Sequence, residues 1–191
     1  MPDRPTQILE AAARLIARRG VRGLRVEEVS TEAGVSTALI YYHFKDRAGL
    51  LRRTLEFISR RAVRYTDAAL ENSADPRTRL TDLLLLELQD TPRVRENSAA
   101  WGELRATAVF DPDLRERLSV ATEEWADDLA HLIRQARAAG LTAADVDPRA
   151  AAERLTALVE GVSERWLSGT TTLDRAHELL RGAVAVELGR P

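Results

Sequence analysis

Apolar residues recur at three- and four-residue spacing along almost the whole chain, and the breaks between these runs fall at glycine, proline, serine and aspartate. Ile8, Leu9, Ala12, Leu15 and Ile16 predict a first helix from Thr6 to Arg19, stopped by Gly20. A short link, Val21 to Leu24, leads to a second helix over Val26–Glu32, and Ala33-Gly34-Val35 forms a turn. Ser36 is placed to cap a third short helix that ends near Phe44, and Asp46 to cap a long fourth one over residues 47–72. Leu51, Leu55, Ile58, Ala62 and Tyr65 draw its apolar stripe, with Arg53, Arg60 and Arg64 opposite.

Five further helices follow the linker Asn72–Pro76. Residues 77–89, with four consecutive leucines at 83–86, are apolar on all sides and predict a central position. The next helix begins at Pro92 and carries Trp101, Leu104, Ala108 and Phe110. A long one opens at Asp111-Pro112 and runs to Ala139, its inner stripe Leu114, Leu118, Trp125, Leu129, Leu132 and Ala136. Asp147-Pro148 opens a helix to Ser168, and the last runs from Leu173 to Leu188. No run has the alternation or β-branched enrichment of a strand, so the expected class is all-α, about nine helices.

Composition agrees: the 191 residues are 45% hydrophobic and 30% charged, with 10 glycines and 7 prolines. That is enough apolar surface for a packed core. Cysteine is absent, which removes disulfides and thiolate chemistry. No apolar stretch reaches membrane-span length and no signal-peptide core opens the chain, so a cytoplasmic protein without a membrane partner is expected. Charge adds a direction. Residues 1–64 hold 13 basic and 7 acidic side chains, residues 65–191 hold 15 and 23, so a polyanion is drawn to the N-terminal part. Lys45 is the single lysine among 28 basic residues, a bias that GC-rich coding explains without any binding role.

The stretch Gly34–Arg47 carries the chemistry. Two short helices around a glycine turn make a helix-turn-helix, whose second helix can enter a major groove. Ile40 and Phe44 share one face and predict anchoring, which turns Thr37, Ala38 and Tyr41 outward. Tyr42, His43, Lys45 and Arg47 offer hydroxyl, imidazole and cationic donors to phosphates. The run Ala33-Gly34-Val35-Ser36, Ile40-Tyr41-Tyr42-His43-Phe44, Asp46-Arg47 and Leu50-Leu51, preceded by Ile8–Ala12 and Arg19-Gly20, resembles the DNA-binding domain of the TetR family. The family commonly has threonine where Arg25 stands, so that helix cap is lost or supplied otherwise, and Arg25 is turned to phosphate contact. Leu39 stands where threonine is frequent, to meet a thymine methyl or the core. The expected DNA contacts are Arg25, Ser36, Thr37, Ala38, Leu39, Tyr41, Tyr42, His43, Lys45 and Arg47.

Trp101, Phe110–Leu114, Trp125 and the Asp147-Pro148 start are similar to the ligand domains of that family's choline-responsive-repressor-like subgroup. The resemblance implies a DNA-binding domain at 1–46 and a ligand-binding and dimerisation domain at 47–191, with the fourth helix connecting them. It implies an unidentified small-molecule effector, with Phe57, Tyr65, Leu84, Leu88, Trp101, Arg105, Trp125, Leu129 and Trp166 as candidate contacts. It also implies a homodimer through the last two helices, with Leu155, Val159, Val162, Leu180, Ala183, Val184 and Glu187 at the interface. The function so implied is a repressor that binds a pseudo-palindromic operator in double-stranded DNA as a dimer and is released by the effector.

Two other classes compete. An enzyme would need a catalytic constellation, yet His43, His131 and His177 lie on separate helices, and no metal, nucleophile or phosphate-loop motif occurs. Glu123, Glu124, Asp127, Asp128 and His131 spread around one helix and read as a solvated face, so no metal, cofactor or catalysis is expected. A helical ligand carrier or interaction protein without DNA regulation would not need the basic head.

Overall fold

Capping chemistry sets most of the helix starts in the computed structural model, which describes residues 3–70 and 75–189, with 63–70 described by backbone alone. The described residues form nine helices and no strand: α1 Arg4–Arg19, α2 Val26–Ala33, α3 Thr37–Phe44, α4 Arg47–Leu70, α5 Pro76–Leu86, α6 Pro92–Ala108, α7 Pro112–Ala138, α8 Pro148–Leu167 and α9 Leu173–Leu188. Asp3, Ser36, Asp75, Asp147 and Thr172 each accept a backbone N–H from the first turn that follows, satisfying donors that the helix cannot. α5 and α8 begin on proline, whose missing N–H costs nothing there. Arg25 precedes α2 and makes no side-chain cap, as its replacement of threonine implies.

Cα proximity divides the chain into two compact units: Met1–Ala62 with Glu96–Ala121, and Val63–Arg95 with Thr122–Pro191. In the first, Ile8, Ile16, Ile40, Leu50, Leu55 and Ile58 are essentially inaccessible, and α6 and α7 add Ala100, Leu104 and Leu114 to the same core. In the second, Leu80 and Leu84 of α5 pack with Leu129 and Ile133 of α7 and with the inner faces of α8 and α9. Each core buries on the order of ten large aliphatic side chains, at about 1.5–3 kcal/mol apiece before entropy is charged against it.

Three local expectations change. Phe110 lies beyond the end of α6 and is 82% exposed, because the turn at Val109-Phe110 carries it past the last inward-facing position. The buried stripe of α7 runs through Ala126, Leu129, Ala130, Ile133 and Ala136, leaving Trp125 and Leu132 half-buried. Alanines alternate with Leu129 and Ile133 along this stripe, and Trp125 and Leu132 pack against the core from its edge. α5 stops at Leu86, where Leu88 donates to the Leu85 carbonyl in a tighter turn.

Candidate nucleic-acid interface

The outward face of α3 exists because its inward face is fully committed. Gly34 ends α2 in the left-handed region (φ 65°, ψ 39°), its N–H shared between the Ser30 and Thr31 carbonyls, and Val35 donates to Ser30. Ser36 then caps α3 through Leu39 N–H at 3.2 Å. Ile40 and Phe44, 1% and 5% exposed, anchor α3 in the first core. A helix of eight residues so held must turn its other residues outward. Ala38 and His43 are exposed, Tyr41 is 46% and Tyr42 80% exposed, and Thr37 and Leu39 are half-buried. The Tyr42 and His43 rings meet edge to face at 5.1 Å.

The turn after α3 is strained. Lys45 holds φ 67°, ψ −55°, the one described non-glycine residue with positive φ, and Asp46 N–H donates back to the Phe44 carbonyl at 2.8 Å. A side chain pays about 1–2 kcal/mol for the left-handed region. Asp46 Oδ1 accepts Gly49 N–H at 2.6 Å, and a Cβ on Gly49 would collide with the Phe44 carbonyl oxygen, so only glycine fits there. The result presents the Lys45 ammonium beside the exposed end of α3.

Arg47 is placed otherwise than expected. Its Nε donates to the Leu24 carbonyl at 3.1 Å and its Nη2 to the Val21 carbonyl, so the guanidinium ties α4 to the link between α1 and α2. It positions the head first, and only its remaining N–H groups are left for a phosphate. Glu103 works on the same link: its Oε2 accepts Val21 N–H at 3.1 Å and would lie 2.7 Å from a Cβ on Gly20. Nothing in the sequence marks Glu103 for this, since 82 positions separate the partners.

Electrostatics single out the free cations. Arg14 and Arg18 both pair with Glu32, and Arg19 with Glu28. Hydrogen bonds from Arg14 and then Arg18 hold the Glu32 carboxyl below the usual carboxylate range, and the Thr6 hydroxyl and N–H do the same for Asp3. Among the described residues no carboxylate pairs with Arg25 or Lys45, and both are exposed. Unneutralised charge of this kind is what a phosphate backbone can use.

The candidate effector residues fall into both units. Leu84, Leu88 and Leu129 are wholly inaccessible and Trp166 is 5% exposed, so in this chain they fill the second core, which half-buried Trp125 joins. The indole N–H of Trp125 is buried without an acceptor, and Arg95 stands 4.5 Å over the Trp166 ring. Phe57 and Trp101 are half-buried against the first core, Arg105 is half-buried, and the side chain of Tyr65 lies outside the described residues.

The candidate interface residues need correction. Leu155, Val159, Val162, Leu180 and Val184 are at most 4% exposed within the single chain, because they hold α8 and α9 to each other and to the rest of their core. A side chain already enclosed cannot also meet a second copy. Ala183 is half-buried, and Glu187 is engaged by Arg154 at 2.6 and 2.7 Å. The exposed faces of the two helices carry Ala157, Gly161, Gly182, Ala185 and Val186 instead, the last 81% exposed.

In the acidic stretch of α7, Asp127 pairs with Arg149 and His131 with Gln135. Among the described residues no group of three or more His, Asp or Glu is arranged to hold a metal, and no helix is long and apolar enough to cross a membrane.

Residues 8–54 match the family of bacterial regulatory proteins of the TetR type, and residues 76–189 match the BetI-type transcriptional repressor C-terminal family. The chain belongs to the TetR family. A TetR-family transcriptional regulator from Rhodococcus sp. is 46% identical, with TM-score 0.91 over 99% of this chain and 100% of that one. A transcriptional regulator from Saccharomonospora viridis, solved in complex with choline, is 30% identical, with TM-score 0.82 over 93% of each chain. The HTH-type transcriptional regulator BetI of Brucella melitensis is 26% identical over 100% of this chain and 94% of its own length. The chain is thus a ligand-responsive, DNA-binding transcriptional regulator of the TetR family with a BetI-type C-terminal region.

Proposed function

We propose that this TetR-family regulator is a repressor that binds a pseudo-palindromic operator as a homodimer and leaves it when a small molecule binds. The observation that carries the DNA half is α3: a helix held by two buried residues, with two tyrosines and a histidine facing solvent, followed at once by unpaired Lys45, and with unpaired Arg25 exposed in the same unit. Tyr41, Ala38, Thr37 and Leu39 face base edges, while Tyr42, His43, Lys45, Arg25 and Ser36 meet the phosphates. Residues 1–46 form the DNA-binding head, and residues 47–191 serve ligand binding and dimerisation.

Dimerisation runs through the outward faces of α8 and α9, where the small residues Ala157, Gly161, Gly182 and Ala185 let a second copy approach closely beside Val186, with charged residues such as Arg154, Glu164 and Glu178 on the same faces. The isologous pairing of two such hairpins makes a four-helix bundle and sets two heads about 34 Å apart, one helical turn of DNA. An effector dissociates the complex only if it prefers the DNA-incompetent conformation. The choline bound by the Saccharomonospora viridis regulator makes choline the first compound to test. Catalysis forms no part of this reading, and the protein acts in the cytoplasm, where its operator is.

Mobility shifts on duplex DNA from upstream of its own gene test the assignment. The wild type is expected to bind with a steep salt dependence, and Tyr42→Ala to lose about tenfold in affinity while keeping its helical circular dichroism. Equal affinity of wild type and variant would remove α3 from the interface.

A further inference from the structure

The side chain of Arg61 in α4 is 9% exposed, yet its guanidinium is only partly satisfied. Its Nε donates to Asn97 Oδ1 at 2.8 Å and its Nη1 to Glu96 Oε1 at 2.9 Å, both on α6. Nη2 is buried with no acceptor. A guanidinium carries five N–H donors in a rigid fork, so both donors of Nη2 are left over. Leaving the donors of a buried charged group unmade is far costlier than exposing them, and such orphans call for an acceptor.

The surroundings suit a small organic molecule. The Arg61 guanidinium carbon stands 5.5 Å from the ring centroid of Phe57, one turn earlier on α4. One turn after Asn97, on the same face of α6, comes half-buried Trp101. All four residues belong to the first unit. Two aromatic side chains and one unmet donor on facing helices are the residue types from which small-molecule sites are built, apolar walls with few placed polar groups.

Charge narrows the ligand. Glu96 already neutralises Arg61 at 2.9 Å, so a carboxylate on Nη2 would bring a second negative charge beside Glu96. An ammonium group has no lone pair to accept with. An uncharged oxygen satisfies Nη2 and leaves the pair balanced. We propose that Arg61 Nη2 is the polar anchor of the effector site, taking the carbonyl or hydroxyl oxygen of a small molecule whose apolar part lies along Phe57 and Trp101. This rests on the reading that the regulator has an effector, and it names the chemistry that effector presents.

Crystals of the full chain soaked separately in acetamide, isopropanol and sodium acetate test it. Acetamide probes a carbonyl oxygen, isopropanol a hydroxyl, and acetate an anionic one. The expected result is an acetamide or isopropanol oxygen about 2.7–3.2 Å from Nη2. A single water on Nη2 that none of the three displaces would overturn the proposal, as would occupancy by acetate alone. An additive that sits in the same place in Arg61→Met crystals is an adventitious additive only and also overturns it. The wild-type soaks decide by themselves if Arg61→Met fails to fold, and Arg61→Lys supplies a second variant, expected to lose the acetamide contact. Operator binding measured without any small molecule separates the two readings. If the soaks fail while the wild type still binds operator, only the anchor falls; if operator binding is absent, the regulator reading falls on its own.

Discussion

α3 and the α8–α9 hairpin use their apolar and aromatic side chains in opposite ways. In α3, Ile40 and Phe44 do the packing, while Tyr41 and Tyr42 stand 46% and 80% exposed. In α8 and α9, Leu155, Val159, Val162, Trp166, Leu180 and Val184 all lie within 5% of full burial. A short helix held on one side leaves large residues outside only at a cost in solvation, so an exposed aromatic with a polar tip marks a surface kept for a partner. The hairpin spends its large residues on its own fold. Any interface it makes must come from what remains, which is small.

That contrast can be broken first at its strongest point. Phe44→Ala is expected to cost about 3–5 kcal/mol by urea unfolding, and Leu155→Ala about 2–5, because both leave cavities in enclosed sites. Near-zero loss for Phe44→Ala would mean that α3 is not anchored as described. Arg47→Ala should cost about 1.5–3 kcal/mol through its lost bonds to the Leu24 and Val21 carbonyls, and weaken operator binding through the displaced head. A variant of unchanged stability but reduced affinity would return Arg47 to a purely phosphate-binding role.

Lys45→Gly sharpens the picture at the turn. Relief of the left-handed strain should stabilise the fold by about 1 kcal/mol in thermal unfolding, while loss of the ammonium lowers affinity and flattens its salt dependence. Lys45→Ala, which keeps the strain, should lose affinity without the gain in stability. Glu32→Gln is the smallest effect, below about 1 kcal/mol, as for an exposed pair. The folded Glu32 carboxyl lies below its unfolded value, so its stabilisation is present above the unfolded pKa and fades as pH falls through the folded one. The wild-type advantage over Glu32→Gln should therefore shrink in acid, and an advantage that grows there would contradict the pairing.

Local patterns carried most of the fold. Period, caps and glycine stops placed all nine of the described helix starts within about two residues, since caps and turns depend on neighbours in sequence. The head was legible for the same reason: Gly34, Ser36, Ile40 and Phe44 act within one short segment. Legibility failed where periodicity alone had to choose a partner. The apolar stripes of α8 and α9 predict contact with a second copy, but an apolar stripe says that a face is buried, not what buries it. Phe110 failed similarly, because a residue two positions past a helix end no longer follows the helix's period.

The sequence by itself determined the helices, the helix-turn-helix and the basic head, all products of short-range chemistry. Only the tertiary structure decided that Leu155 and Leu180 belong to the chain's own core, that Arg47 and Glu103 clasp the Val21 link, and that Arg61 keeps a buried donor unmet. Those outcomes depend on which surfaces meet across tens of residues. Packing settles that through the shared burial of many side chains, which no single stretch of chain encodes.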